Sequence, residues 1–143
     1  MTSIPPVDGT EGSDSERSPF IANTLSASFT VDAIERSLAW YRDVLGFTVA
    51  RRFERDGKLF AVSLRAGTVA VLLTQDDGAR GSDRVKGAGV SLRLTTSQDI
   101  DDLANQIREN GGVFATEPRE QMGVRMFRLR DPDGFMLVVT SEP

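Results

Sequence analysis

The sequence predicts an α+β fold made of two successive β-α-β-β-β modules. Three observations point to it. Segments with alternating apolar and polar residues flank two stretches with helical spacing. The same order of elements occurs twice, and a shift of 66 residues lays Ile34 on Ile100, Arg42 on Arg108 and Gly46 on Gly112. Adjacent strand-like segments are separated by turn signals, namely Asp56-Gly57, Ala66-Gly67 and Asp131-Pro132-Asp133-Gly134. At 143 residues the chain suits one domain with a sizeable core.

Residues 1–19 are rich in Pro, Gly, Ser, Asp and Glu, and are expected to form a disordered tail. A single folded domain should span 20–143, with module one at about 23–76 and module two at about 87–141. The first strand is expected over 24–31, with Ala27, Phe29 and Val31 on one face and Ser26, Ser28 and Thr30 on the other. Asp32 then caps a helix, with Glu35 completing a variant capping box. Ile34, Leu38, Tyr41 and Leu45 form its apolar stripe, and Gly46 ends it in the left-handed conformation. Strands follow over 47–55, 58–66 and 68–75. A polar, Gly-rich connection occupies 76–86.

In module two, Val90, Leu92 and Leu94 alternate with Gly89, Ser91 and Arg93. Ser97 or Thr96 caps the second helix, whose stripe is Ile100, Leu103, Ala104 and Ile107. Asn110-Gly111-Gly112 closes it. Strands are expected over 113–116, 124–130 and 135–140.

Composition narrows the function. The formal net charge of −4 argues against nucleic acid as a partner, since phosphate binding needs a basic face. The chain has no cysteine and no histidine. Disulfides, thiolate catalysis and a Ser–His nucleophile are therefore excluded, and a zinc site would rest on carboxylates alone. No apolar run nears the roughly 20 residues of a membrane span, and no basic-then-apolar leader opens the chain. Cytoplasmic residence is the expectation.

The stretch Trp40-Tyr41-Arg42-Asp43-Val44-Leu45-Gly46-Phe47, together with Gly123-Val124-Arg125 and the Asp131–Gly134 turn, resembles the glyoxalase / bleomycin-resistance / dioxygenase superfamily, also called vicinal-oxygen-chelate proteins. The resemblance covers roughly residues 23–141. It implies mixed sheets curled around a cavity, helices on the outside, and a homodimer. In metal-dependent members a His or Glu ligates at positions that correspond here to Ser26, about Gly89, Leu72 and Val138. Hydroxyl and aliphatic side chains do not make a divalent-metal site, so neither metal nor cofactor is expected.

What remains is a ligand-binding expectation. Ser26, Ser28, Leu72, Ser91, Arg93, Met126, Arg128, Met136 and Val138 fall on the faces turned from the helices and should line the cavity. Leu72, Met126, Met136 and Val138 would form an adaptable apolar floor, or would simply fill the space. Arg93 and Arg128 would clamp a carboxylate or phosphate, or would reach solvent and pair with acidic residues. Arg125 points the other way, and Asp131 and Asp133 read as turn residues; no catalytic residue is assigned. The leading expectation is metal-independent binding of a small molecule, with antibiotic sequestration as one form of it. The alternatives are a lyase, isomerase or dioxygenase of the same superfamily, and a structural or regulatory module with a closed cavity.

Overall fold

A computed structural model describes residues 19–79, 81 and 85–143. The expected tail, apart from its last residue, lies outside the described residues. The described chain folds as β1 (Ala27–Val31), α1 (Ile34–Ala39), β2 (Thr48–Arg55), β3 (Lys58–Ala66), β4 (Val69–Gln75), β5 (Ser91–Thr96), α2 (Ile100–Glu109), β6 (Phe114–Gln121), β7 (Val124–Arg130) and β8 (Met136–Ser141). This is β-α-β-β-β twice. Each module gives one open four-stranded sheet, ordered β1-β4-β3-β2 and β5-β8-β7-β6. In both, the first strand runs parallel to the fourth and the other pairs are antiparallel. The fold is therefore α+β with two mixed sheets.

Alternation decides which face each strand buries. Phe29, Val31, Val62, Leu64, Val71 and Leu73 are buried together with Ile34, Leu38 and Tyr41 of the first helical segment. In module two Phe127 and Leu129 meet Ile100, Ala104 and Ile107 of α2. The helix-side faces of the two sheets also meet each other. Leu137 belongs to the first cluster, Leu92 and Leu94 pack against it, and the rings of Phe29 and Phe135 stack at 4.2 Å. Trp40 packs against both clusters and joins them.

The first helix is less regular than its apolar stripe suggests. After Ala39 it widens into a π-turn, Trp40–Val44, in which the Leu45 N–H reaches the Trp40 carbonyl. Gly46, at φ +88, then closes the helix, with the Phe47 N–H donating to the Tyr41 carbonyl. Asp32 is not the cap: the N-cap is Ala33, which makes no side-chain cap bond. Gln75 Oε1 accepts from the Ile34 N–H (2.9 Å) and Asp133 Oδ1 from the Asp32 N–H (3.0 Å). For α2 the cap is Asp99 rather than Thr96 or Ser97; its carboxylate accepts from the Asp102 N–H at 2.9 Å. The connection before α1 has two residues and that before α2 has three. The ends of the first strands are therefore offset by 65 residues and the starts of the helices by 66.

Two strands differ from expectation. β6 runs on to Gln121, past Pro118, where the sequence suggests an end near 116. It is an edge strand with register shifts between Phe114 and Arg119, the setting in which a sheet tolerates proline. Met122 and Gly123, both at positive φ, turn it into β7. β5 begins at Ser91, leaving Val90 exposed rather than under the helix. Gly112 is required sterically: a Cβ there would sit 2.3 Å from Ile107 Cγ2 and 3.1 Å from Val44 Cγ1, where the end of α2 meets the π-turn.

Candidate functional site

The face of the second sheet turned away from α2 gathers most of the candidate residues. Cross-strand partners share a face, so the register places them in rows. Arg128, Val138 and Arg93 form one row across β7, β8 and β5. Arg130, Met136 and Ser91 form the next, and Met126, Thr140 and Thr95 lie on the other side. Met126 and Val138 are buried, Arg128 and Met136 are half-buried, and Arg93 and Ser91 are exposed. Among the described residues neither the Arg93 nor the Arg128 side chain has an acceptor. Arg125 does lie on the opposite face, where its Nε and Nη2 bind the Asp101 carboxylate at 2.6 and 2.8 Å. That pairing lowers the Asp101 pKa, mainly through the hydrogen bond from Arg125.

In the first sheet, Ser28 and Leu72 are register partners on the corresponding face. Ser26 is exposed and precedes β1. The strands thus bring the candidates together within each sheet, as two separate sets.

Where the modules meet on the helix side, two clefts open. One, of about 270 Å³, is bordered by Tyr41, Phe47, Val69, Val71, Leu92 and Leu137, and it touches Ser26 and Arg93. The other, of about 590 Å³, lies between the Ala66–Val69 turn, the end of β5 and α2, and touches no candidate residue.

A buried polar latch also crosses the module boundary. Asp131, 4% exposed, accepts from the Asp133 and Phe135 N–H groups (both 2.9 Å) and from the Tyr41 hydroxyl (2.7 Å). Burial raises the Asp131 pKa, against the lowering effect of these three donors. Tyr41 is pushed up as well, by burial first and then by the charge of Asp131. Asp133 accepts from the Ser37 hydroxyl at 3.2 Å. Nearby, Lys86 bridges Asp32 and Asp76 and is 2.9 Å from the latter. Burial lowers the Lys86 pKa, but its hydrogen bonds to Asp32 and Asp76 outweigh that and raise it. Asp131 and Asp133 are turn residues, as expected, and they also fasten the turn to the first helix. Sequence reasoning missed the latch, although a tyrosine on an apolar stripe signals a hydroxyl that needs a partner. It also missed Arg119 and Arg130, which share the face of Arg93 and Arg128. The Met122-Gly123 turn was the available sign that β6 extends far enough to carry Arg119.

The donors do not fit a divalent metal. Ser28 is the register partner of Leu72, Val138 lies between Arg93 and Arg128 in the register, and Ser26 and Gly89 fall outside the strands. Among the described residues no group of three or more His, Cys, Asp or Glu is placed to hold an ion. No described helix is long and apolar enough to cross a membrane.

The model of the Glyoxalase/Bleomycin resistance protein/Dioxygenase superfamily matches residues 23–139. TioX from Micromonospora sp. ML1 superposes with a TM-score of 0.70 at 17% identity, covering 85% of this chain and all of TioX. TnmS3, an antibiotic binding protein from Streptomyces sp. CB03234, gives 0.68 at 18% identity over 86% of this chain and 98% of its own. A member of the same superfamily from Sphaerobacter thermophilus DSM 20745 gives 0.66 at 26% identity, with 85% and 98% covered. No curated protein matches the chain in sequence.

Proposed function

The chain belongs to the Glyoxalase/Bleomycin resistance protein/Dioxygenase superfamily, and from that premise we propose that it binds a small molecule, without a metal ion, against the sheet faces turned from its helices. The observation that carries this reading is the register row Arg128–Val138–Arg93, in which two arginines without a side-chain acceptor among the described residues flank a buried apolar residue. Apolar floors with a few convergent polar groups are the usual make-up of ligand sites. Half-buried Met136 and buried Met126 add an adaptable wall. Ser28 and Leu72 supply the corresponding surface of the first sheet, with Ser26 and Ser91 at the edges. TnmS3, an antibiotic binding protein of the same fold, supports an antibiotic as one candidate ligand.

Binding is preferred to catalysis for a chemical reason. The chain has no histidine or cysteine, and among the described residues the buried carboxylates of Asp131 and Asp133 are taken up by structural hydrogen bonds from Tyr41, Ser37 and the backbone. The proposal includes a homodimer resident in the cytoplasm, with no nucleic-acid partner.

Native mass spectrometry of the full chain, purified without chelator, tests the metal and the subunit number in one spectrum. The expected species is a metal-free dimer. A stoichiometric divalent metal would overturn the metal-independent reading. A thermal-shift screen of antibiotics and polar metabolites tests the binding itself: at least one compound should raise the melting temperature saturably, and a screen with no saturable shift counts against it.

A further inference from the structure

We propose that the ligand held against the second sheet is an anion, a small molecule whose carboxylate or phosphate group sits between Arg93 and Arg128. This rests on the binding reading above and adds the charge of the ligand.

The first argument is the distribution of charge. The chain has 21 acidic and 17 basic residues. Yet the rows on this face carry Arg93, Arg119, Arg128 and Arg130 and no carboxylate. The four strands hold two acidic residues, Glu117 and Glu120, and both belong to the helix side. Glu117 binds Arg108 of α2 at 2.5 Å, and Glu120 is the register partner of Arg125.

The second argument is partnership. On the helix side, Arg125 and Arg108 each have a carboxylate. On the opposite face Arg119 donates to the Gln121 side-chain oxygen and Arg130 to the Gly134 carbonyl, both neutral acceptors. Arg93 and Arg128 have no acceptor among the described residues. The sheet's one helix-side arginine, Arg125, therefore has a carboxylate partner, whereas the four on its other face have none among the described residues.

Geometry supplies the third argument. Arg93 and Arg128 are separated by one strand, which puts their Cα atoms about 10 Å apart. Long side chains from both can converge above Val138 between them. Their planar forks suit the paired oxygens of a carboxylate or phosphate. The buried Val138 and Met126 beneath limit water on one side, which strengthens a charge–charge contact.

The test is a titration of the full-length protein with 2-naphthoate, 1-naphthyl phosphate and the neutral 2-naphthamide. It is followed through the Nε–Hε resonances of ¹⁵N-labelled arginines. Both anions should shift Arg93 and Arg128 saturably and leave Arg125 in place, while the amide shifts neither. The stronger of the two anions identifies the headgroup. Arg93→Gln and Arg128→Gln should each weaken anion binding about tenfold, the loss of one charge-assisted contact, with an unchanged circular-dichroism spectrum. Equal shifts by amide and anions would overturn the anion inference and leave the binding reading standing. No shift at Arg93 and Arg128 with any probe would overturn the inference as well, while a saturable hit in the thermal-shift screen would still uphold binding elsewhere.

Discussion

The two helices occupy equivalent places in equivalent modules, yet they are fastened by opposite means. α2 carries its own cap: Asp99 binds the Asp102 N–H, and Asp101 and Asp102 add negative charge to the first turn. α1 has no side-chain cap of its own. Its first turn is held by Gln75 from β4 and Asp133 from the far hairpin, and its Tyr41 hydroxyl is bound by Asp131. The difference separates local from tertiary specification. Module two can order its helix from neighbouring residues, whereas module one needs the last turn of module two in place. This also accounts for the Asp131-Pro-Asp-Gly134 sequence beyond the needs of a hairpin, since its two carboxylates bind the first helix from about 90 residues away.

The contrast predicts unequal responses to loss of a single carboxylate. Asp131→Ala should have the largest effect, about 3 kcal/mol in urea unfolding, because it leaves two backbone N–H groups and a buried tyrosine hydroxyl without partners. Asp131→Asn should cost much less. Its side-chain oxygen can keep the two N–H donors, and the Tyr41 hydroxyl can turn to accept from the amide. The pH dependence differs too. Burial raises the Asp131 pKa, so the folded state keeps this proton to higher pH than the unfolded chain. Its stability contribution is then fully present below the ordinary carboxylate range and is lost as pH rises through the raised value. Wild type minus Asp131→Asn should show that decline in a pH series of unfolding midpoints. A flat difference would remove the titrating carboxylate from the comparison.

The same local-versus-tertiary distinction explains what was legible in the sequence. Alternation and helical spacing gave both modules, since burial of one face imposes a period that the residues record. The faces of Ser28, Arg93, Arg128 and Val138 followed from the same period. The caps were misplaced by one to three residues because several Asp, Ser and Thr residues compete at each helix start, and the choice at α1 is made by Gln75 and Asp133. The end of β6 was hidden by Pro118, which reads as a strand breaker until its edge position is known. The clefts at the module junction were not legible at all. They depend on how two helix-side faces meet, and no periodicity encodes that. The candidate site was readable as two faces, whereas its charge asymmetry needed the register that brings Arg119 and Arg130 beside Arg93 and Arg128.

A smaller effect tests the local side of the comparison. Asp99→Ala removes the cap of α2 and should cost about 1 kcal/mol, the usual value for an N-cap. The loss should be confined to module two. Hydrogen exchange should speed at the first turn of α2 and stay unchanged at Ile34 and Ser37. Acceleration at both helices would mean that α2 also supports α1 through Trp40, and that the two fastenings are not independent.

The smallest effect is expected at the Asp101–Arg125 pair, which joins α2 to β7 by two short hydrogen bonds. The geometry is bidentate, but the side chains are 50% and 36% exposed. Water screens the attraction, and ordering two long side chains opposes it. A double-mutant cycle with Asp101→Asn and Arg125→Gln should therefore give a coupling barely above error, weakening further with added salt. It should also be far smaller than the coupling of Tyr41→Phe with Asp131→Asn, whose partners are buried. If the exposed pair matched the buried one, the helix of module two would depend on a tertiary contact as much as that of module one. The contrast between them would then reduce to the position of a single cap.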